Sequence, residues 1–209
     1  PLPDSGRIYL IYANYYYYLK DIKKARLNID KALHNLSTVA INQHYINAVM
    51  LKAKLLVDDG KVDQAVDVLE SALYMLTKFD ELNLSDLKLR YALVKCYIIF
   101  KQYYTASRII KDIDSISNRL GIDYKPEAIE KLKVFLLIKN EHYQEAIDVV
   151  EDTTDSELKL LKAYGLYQLD KVREAGQLYK TLVDFNVSSI TIPELKDLYE
   201  ELTERLGGL

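Results

Sequence analysis

The most informative part of the sequence is Asp58-Asp59-Gly60-Lys61-Val62-Asp63-Gln64-Ala65-Val66-Asp67-Val68-Leu69-Glu70-Ser71-Ala72-Leu73. A helix-forming run ends at Gly60, which can adopt a left-handed conformation without a steric penalty and so can close one helix before the next begins. In the helix that follows, Ala65, Leu69 and Ala72 are spaced i, i+4 and i+7, so they share one face. Small side chains on that face allow a neighbouring helix to approach closely. The stretch therefore predicts a tight helical hairpin.

The composition restricts the class of protein. The chain has 209 residues, of which 49% are hydrophobic, with only 7 glycines and 4 prolines. Such a chain is expected to form long helices joined by short turns. The net charge of -3 gives no general attraction to nucleic acid, so we expect no direct nucleic-acid binding. No apolar run approaches about 18 residues, so membrane insertion is not expected either.

Cysteine usage and the N-terminal segment indicate the compartment. Cys96 is the only cysteine, which excludes a disulfide scaffold and fits a reducing environment. The first residues lack the basic and apolar regions of a signal peptide. We therefore predict a cytoplasmic location.

The alanine at position 65 recurs along the chain. Ala25, Ala65, Ala106, Ala146 and Ala175 each follow a helix and a short turn, at intervals of 40, 41, 40 and 29 residues. Self-similarity of this kind is typical of a solenoid of helical hairpins. The predicted hairpins cover about residues 7–36, 39–78, 86–120, 127–151 and 156–185, and a helix over about 194–206 is predicted to cap the last of them. The Val/Ile-rich segments lack the sustained alternation of a strand.

The repeat resembles the tetratricopeptide repeat (TPR) family over about residues 7 to 185. The matching segments are Tyr12-Ala13-Asn14-Tyr15-Tyr16 with Ala25 and Ala32; Ala53 and Leu56 with Gly60, Ala65, Ala72 and Leu73; Leu93 and Tyr97 with Tyr103-Tyr104-Thr105-Ala106; Leu137 with Tyr143, Ala146 and Ile147; and Ala163 and Leu166 with Ala175. The resemblance implies an all-α, right-handed superhelical solenoid of about five antiparallel hairpins plus a C-terminal capping helix, as a single domain over residues 1–209.

Two features depart from the usual TPR pattern. Three of the intervals lie near 40 residues, whereas the family period is about 34, so the sequence is closest to the long-repeat variety of the family. Val94 and Val134 stand where the family prefers Gly or Ala, which predicts uneven curvature. HEAT-type or other helical hairpins are the architectural alternative.

The resemblance also implies a concave groove lined by the first helix of each hairpin. The candidate partner-binding residues are Asn14, Tyr17, Tyr18, Asn47, Lys54, Lys88, Tyr91, Lys95, Lys131, Phe135 and Tyr164. Amides can hydrogen-bond the backbone of an extended peptide, aromatic rings supply contact area, and the lysines would make the groove positive. The alternative interpretation is an ordinary solvated face. In the run from Tyr15 to Tyr18, consecutive residues point about 100° apart, so Tyr17 and Tyr18 are expected to face the groove or another subunit.

No catalytic, cofactor-binding or metal-binding constellation is recognisable, so we predict a protein that is not an enzyme. The favoured function is a scaffold that holds an extended segment of a protein or peptide partner in the groove. One alternative is the peptide-sensing regulatory domain of a larger bacterial regulator. Another is a structural assembly subunit that oligomerises, for example as a homodimer, through its terminal helices.

Overall fold

The computed structural model of the chain describes residues 3–37, 42–78, 83–126, 129–150, 153–182, 187, 190 and 192–207, which form helices and their connections without a strand. Contacts divide the chain into two compact units, Pro1–Tyr124 and Lys125–Leu209. The first unit contains α1 (Pro3–Tyr18), α2 (Ile22–Leu36), α3 (Gln43–Asp58), α4 (Val62–Lys78), α5 (Leu84–Ile99) and α6 (Tyr103–Leu120). The second contains α7 (Ile129–Lys139), α8 (Tyr143–Val149), α9 (Ser156–Gln168), α10 (Val172–Lys180) and α11 (Leu195–Leu206). The predicted all-α hairpin fold is confirmed, whereas a single domain over residues 1–209 stays a prediction.

Each hairpin packs through small residues at repeated positions. The five repeat alanines have no exposed surface, and each lies in the first turns of the second helix of its hairpin. The first helices carry a buried residue at a matching position, and these residues are Ala13, Ala53, Val94, Val134 and Ala163. In α9, a Cβ on Gly165 would lie only 3.2 Å from Ile138 Cδ1 and from Ile147 Cγ1. The helices therefore approach closely where the sequence supplies small side chains.

The hairpin turns share one backbone conformation. The residue five positions before each repeat alanine has a positive φ, and these residues are Lys20, Gly60, Lys101, Glu141 and Asp170. In each turn the next N–H donates to the carbonyl five residues earlier, as from Lys61 N to Leu56 O at 2.9 Å. This is the Schellman arrangement, which satisfies the last carbonyls of a helix. The left-handed conformation predicted for Gly60 is confirmed, and four other turns adopt it without glycine.

The last helix seals the second unit. Leu195, Leu198, Leu202 and Leu206 are buried, and α11 packs against α9 and α10, which confirms the predicted cap. Three helices are shorter than predicted. Asn42 caps the N-terminus of α3 by accepting hydrogen bonds from the N–H groups of His44 and Tyr45. Helices α8 and α10 end at Val149 and Lys180. The remaining predicted positions 39–41, 127–128, 151 and 183–185 lie outside the described residues.

Exchanging residues between two turns tests the cost of the left-handed conformation. A Cβ at Gly60 would meet no atom within 4 Å, so the conformation alone penalises a side chain there. We expect Gly60→Lys to lower the free energy of unfolding by about 1 kcal/mol and Lys101→Gly to raise it by a similar amount. Urea denaturation of both variants measures these changes. Changes of the same sign in both variants would contradict this account.

Candidate partner-binding surface

The first helices of the first unit present polar side chains at equivalent positions. Asn14, Lys54 and Lys95 lie six residues before the left-handed turn residues of α1, α3 and α5, and all three are exposed. The equivalent positions thirteen residues before the turns carry a second set, namely Arg7, Asn47 and Lys88. Positions seven apart share a helical face. These six residues, here called the basic row, combine four cations with two amides.

Tyr17 links α1 to α3 beside the basic row. The Tyr17 hydroxyl of α1 donates to Asp58 Oδ2 of α3 at 2.8 Å. Lys54 Nζ stands 4.8 Å from the centroid of the same ring, and Lys20 Nζ stands 5.7 Å from it. A cation over an aromatic face is attracted by the quadrupole of the ring. The Tyr17 ring therefore orients the exposed Lys54 ammonium, while Asp58 orients the ring.

The environment of Tyr17 keeps its hydroxyl protonated. Desolvation, the hydrogen bond to Asp58 and the charge of Asp58 together raise the pKa of Tyr17 from 10.0 to about 12. All three causes disfavour the phenolate, because a negative charge there would be poorly hydrated and would face a carboxylate. At neutral pH, Tyr17 is a hydrogen-bond donor to Asp58.

A second cation–aromatic pair lies on α5. Lys95 Nζ stands 4.5 Å from the ring centroid of Tyr91, one helical turn earlier. Tyr91 is only 9% exposed, so a partner could reach the lysine but little of the ring. Burial, followed by the neighbouring Tyr91 hydroxyl, raises the pKa of Tyr124 to about 12. The candidate Tyr91 thus supports Lys95 more than it offers a surface of its own.

In the second unit, Lys131 is occupied by carboxylates. Its ammonium lies 2.8 Å from Asp155 Oδ2 and 3.4 Å from Glu157 Oε2, and Glu157 is buried. Burial alone would lower the pKa of Lys131, but the hydrogen bond to Asp155 and the charge of Glu157 outweigh it and raise that pKa. Lys131 therefore balances buried negative charge, and the structure does not place it as an exposed groove cation.

The other candidates of the second unit also have internal roles. Phe135 has no exposed surface and belongs to the core. The Tyr164 hydroxyl donates to Glu201 Oε2 of the capping helix at 2.9 Å. Burial and the Glu201 carboxylate raise the pKa of Tyr164 well above its usual range. Phe135 is therefore closed to a partner, and the hydroxyl of the half-buried Tyr164 is engaged by the capping helix.

Tyr18 is the most exposed tyrosine at the end of α1, and it lies one turn after Asn14. It is 82% exposed at the end of α1, whereas Tyr16 and Tyr17 pack against the core of the first hairpins. Tyr16 therefore packs inside the first hairpin, whereas Tyr18 is open to solvent. Tyr17 is partly buried: its ring packs against the core, and its hydroxyl donates to Asp58 at the surface.

Sequence reasoning missed the acidic partners of these side chains. Asp58 carries no motif that links it to Tyr17, and the two residues are 41 positions apart. From the sequence, Asp155 is interpretable only as a helix cap. It is one, since its side chain accepts hydrogen bonds from the N–H groups of Glu157 and Leu158. Its additional bond to Lys131 depends on the packing of α7 beside α9, which sequence spacing alone does not reveal.

The described residues show little that could support chemistry. Desolvation raises the pKa of the buried Cys96 thiol to about 11, which disfavours the nucleophilic thiolate. Within the described ranges, no three His, Cys, Asp or Glu side chains gather into a group suited to a metal ion. Of the helices described, none combines the length and apolar character needed to cross a membrane.

The fold is similar to that of solved TPR-like proteins. One is a Podosopora anserina protein described as a kinesin light chain with nearly identical TPR-like repeats, at a TM-score of 0.68 and 15% identity, covering 85% of this chain and 93% of that one. A variant of that protein gives a TM-score of 0.69 at 14% identity and covers 98% and 99% of the two chains. The apo form of RapI gives 0.63 at 13% identity and covers 98% of this chain and 71% of RapI. No family model and no curated protein matches the sequence. At these identities the similarity shows a TPR-like fold.

Removing Lys131 tests its role in the second unit. We expect Lys131→Met to lower the free energy of unfolding by about 2 kcal/mol, because it removes a positive charge that lies 3.4 Å from the buried Glu157 carboxylate. The double variant Lys131→Met/Glu157→Gln should recover part of that loss. Urea denaturation measures both, with Lys159→Met on α9 as the control. If Lys131→Met were as stable as the control, the charge-balancing role would be wrong.

The Tyr17–Asp58 bond predicts a dependence of stability on alkaline pH. Because the folded pKa of about 12 exceeds the ordinary value of 10.0, the contribution of Tyr17 is present below pH 10 and is lost as pH rises towards 12. A spectrophotometric titration of Tyr17→Phe against the wild type should lack one ionisation near pH 12. Asp58→Asn should move that ionisation to lower pH without restoring 10.0, since desolvation remains. An ionisation that did not move in Asp58→Asn would refute the bond.

Proposed function

We propose that the first unit is a non-enzymatic binding module that holds an extended, acidic segment of a partner protein along the basic row. The observation that carries this proposal is the recurrence of cations and amides at equivalent positions of α1, α3 and α5, all of them exposed except the half-buried Lys88. A face that is only solvated would not require cations and amides at equivalent positions of successive helices. Cations on adjacent helices can meet carboxylates. Asn14 Nδ2 donates to Leu10 O and Asn47 Oδ1 accepts from Gln43 Nε2, so a peptide backbone would bond the other amide atom, Oδ1 of Asn14 and Nδ2 of Asn47.

The spacing of the helices indicates the spacing of the acidic residues. Packed helices lie about 8–10 Å apart, and an extended chain rises about 3.3 Å per residue. Consecutive helices of the row would therefore meet side chains about three residues apart. Lys54 and Lys95 occupy the same position on neighbouring first helices and are each held over a tyrosine ring. Holding the ammonium groups in place reduces the conformational entropy lost when a partner binds.

Charge reversal along the row is the direct test. The probe is a fluorescent peptide of about 12 residues with glutamate at every third position. We expect Lys54→Glu/Lys88→Glu/Lys95→Glu to weaken its binding at least about tenfold, measured by fluorescence anisotropy, and we expect added salt to weaken binding to the wild type.

The matched control changes net charge equally at three exposed lysines away from the row, Lys23→Glu/Lys61→Glu/Lys111→Glu. A peptide with lysine in place of glutamate controls for non-specific binding. Equal weakening by both triple variants would reduce the proposal to a general charge effect. A wild type that does not bind the acidic peptide, or a row variant that binds it as tightly, would overturn the proposal.

A further inference from the structure

Helix α1 is apolar on both of its sides. One side faces the core of the first hairpins through Gly6, Leu10 and Ala13. The other side is exposed and carries a continuous set of large apolar side chains, here called the α1 stripe: Ile8, Ile11, Tyr12, Tyr15, Tyr18 and the following Leu19. A large exposed apolar patch on a protein often marks an interface. The α1 stripe, which Arg7 and Asn14 border, is such a patch.

The capping helix α11 has a polar face where it is exposed to solvent. In α11 the buried leucines all lie on one side, and the residues with exposed side chains are polar or charged, namely Lys196, Asp197, Glu200, Thr203, Glu204 and Arg205. Terminal elements of helical repeats generally need such a polar outer face. Among residues 5–18 of α1, whose side chains are described, the exposed residues other than Arg7 and Asn14 all belong to the stripe.

The spacing within the α1 stripe fits another helix. Ile8, Ile11, Tyr15 and Tyr18 are separated by three, four and three residues, which is the alternation of a helix–helix seam, and Tyr12 and Leu19 widen it. At 1.5 Å per residue the stripe runs for roughly 16 Å, or about three turns. An occupant with the same spacing could interleave its side chains along that whole length.

We propose that a second copy of this chain covers the α1 stripe, so that two α1 helices pack against each other about a twofold axis. The stripe itself carries no charge, and the exposed Arg7 lies at its edge, one turn before Ile11. A twofold interface also requires one patch to complement itself, which a symmetric seam of Ile and Tyr does. Tyrosine is enriched among the residues that contribute most to binding at protein interfaces.

The available area is sufficient for a specific dimer. Ile11 is 66% exposed, Tyr15 is 55% exposed and Tyr18 is 82% exposed, and the whole stripe amounts to on the order of 600 Å² per copy. Burying it on both copies removes about 1,200 Å² from water, which is the lower end of the range for stable interfaces. The stripe borders the basic row on α1, because Ile11 and Tyr18 lie three and four residues from Asn14, but the two surfaces use different side chains.

Sedimentation equilibrium over a range of concentrations tests the dimer. We expect the wild type to show a reversible monomer–dimer equilibrium, and we expect Ile11→Glu/Tyr15→Glu to raise the dissociation constant at least about a hundredfold, because it puts four carboxylates into the seam of the dimer. The matched control is Leu27→Glu/Tyr104→Glu, which replaces an exposed leucine of α2 and an exposed tyrosine of α6 and should dimerise like the wild type. Circular dichroism confirms that each variant is folded.

Other outcomes overturn the proposal. A wild type that stays monomeric up to about 1 mM would assign the α1 stripe to a different occupant. A dimer that persists in Ile11→Glu/Tyr15→Glu would place the contact elsewhere on the chain, and equal loss in the control would indicate non-specific association. The wild-type mass decides the first point even if the acidic variant fails to fold. Binding of the acidic peptide by monomeric Ile11→Glu/Tyr15→Glu would show that the two surfaces act separately.

Discussion

Two helices can lie close together only where the side chains between their axes are small. In this protein an alanine with no exposed surface meets that condition in the second helix of all five hairpins. A left-handed turn residue stands five positions before each of these alanines and reverses the chain just before the close contact. The turn and the alanine are useful only together, because a turn in another register would bring a larger residue into the contact. This coupling explains why both features recur at the same intervals along the chain.

Equivalent positions of the repeat serve different purposes in the two units. In the first unit, Lys54 and Lys95 extend over tyrosine rings and remain exposed. At the same position of α7 the chain carries Phe135, which is buried, and in α9 it carries Tyr164, which bonds Glu201 of the capping helix. Equivalent positions of the backbone repeat therefore do not carry equivalent surface side chains in the two units. Exposed cations at these positions belong to the first unit, and the second unit uses the same positions for its core and its cap.

Local pattern was enough to predict most of the fold. The bounds of α2, α4 and α6 follow from the alanine-centred stripes and from flanking turns, since both signals act within a few residues of each other. The left-handed conformation at Lys20, Lys101 and Glu141 was not predicted, because Lys and Glu do not favour it, and Asp170 adopts it only as an occasional option of its residue type. The candidate site was predicted less well, since the roles of Lys131 and Tyr164 depend on Asp155, Glu157 and Glu201. Those contacts arise from helix packing and from the capping helix, which the groove pattern of a repeat does not include.

The order in which helices contact one another affects how the chain folds. In each unit the main helix pairs are neighbours along the chain, such as α1 with α2 and α9 with α10. Contacts between segments that are close in sequence need little loop-closure entropy, so such chains fold quickly and can start at any hairpin. During synthesis, the α1–α2 hairpin can therefore form before α3 leaves the ribosome, and each later hairpin of the first unit can add to a surface that is already folded. The α1 stripe is thus complete as soon as the first hairpin forms, before the rest of the first unit has been synthesised.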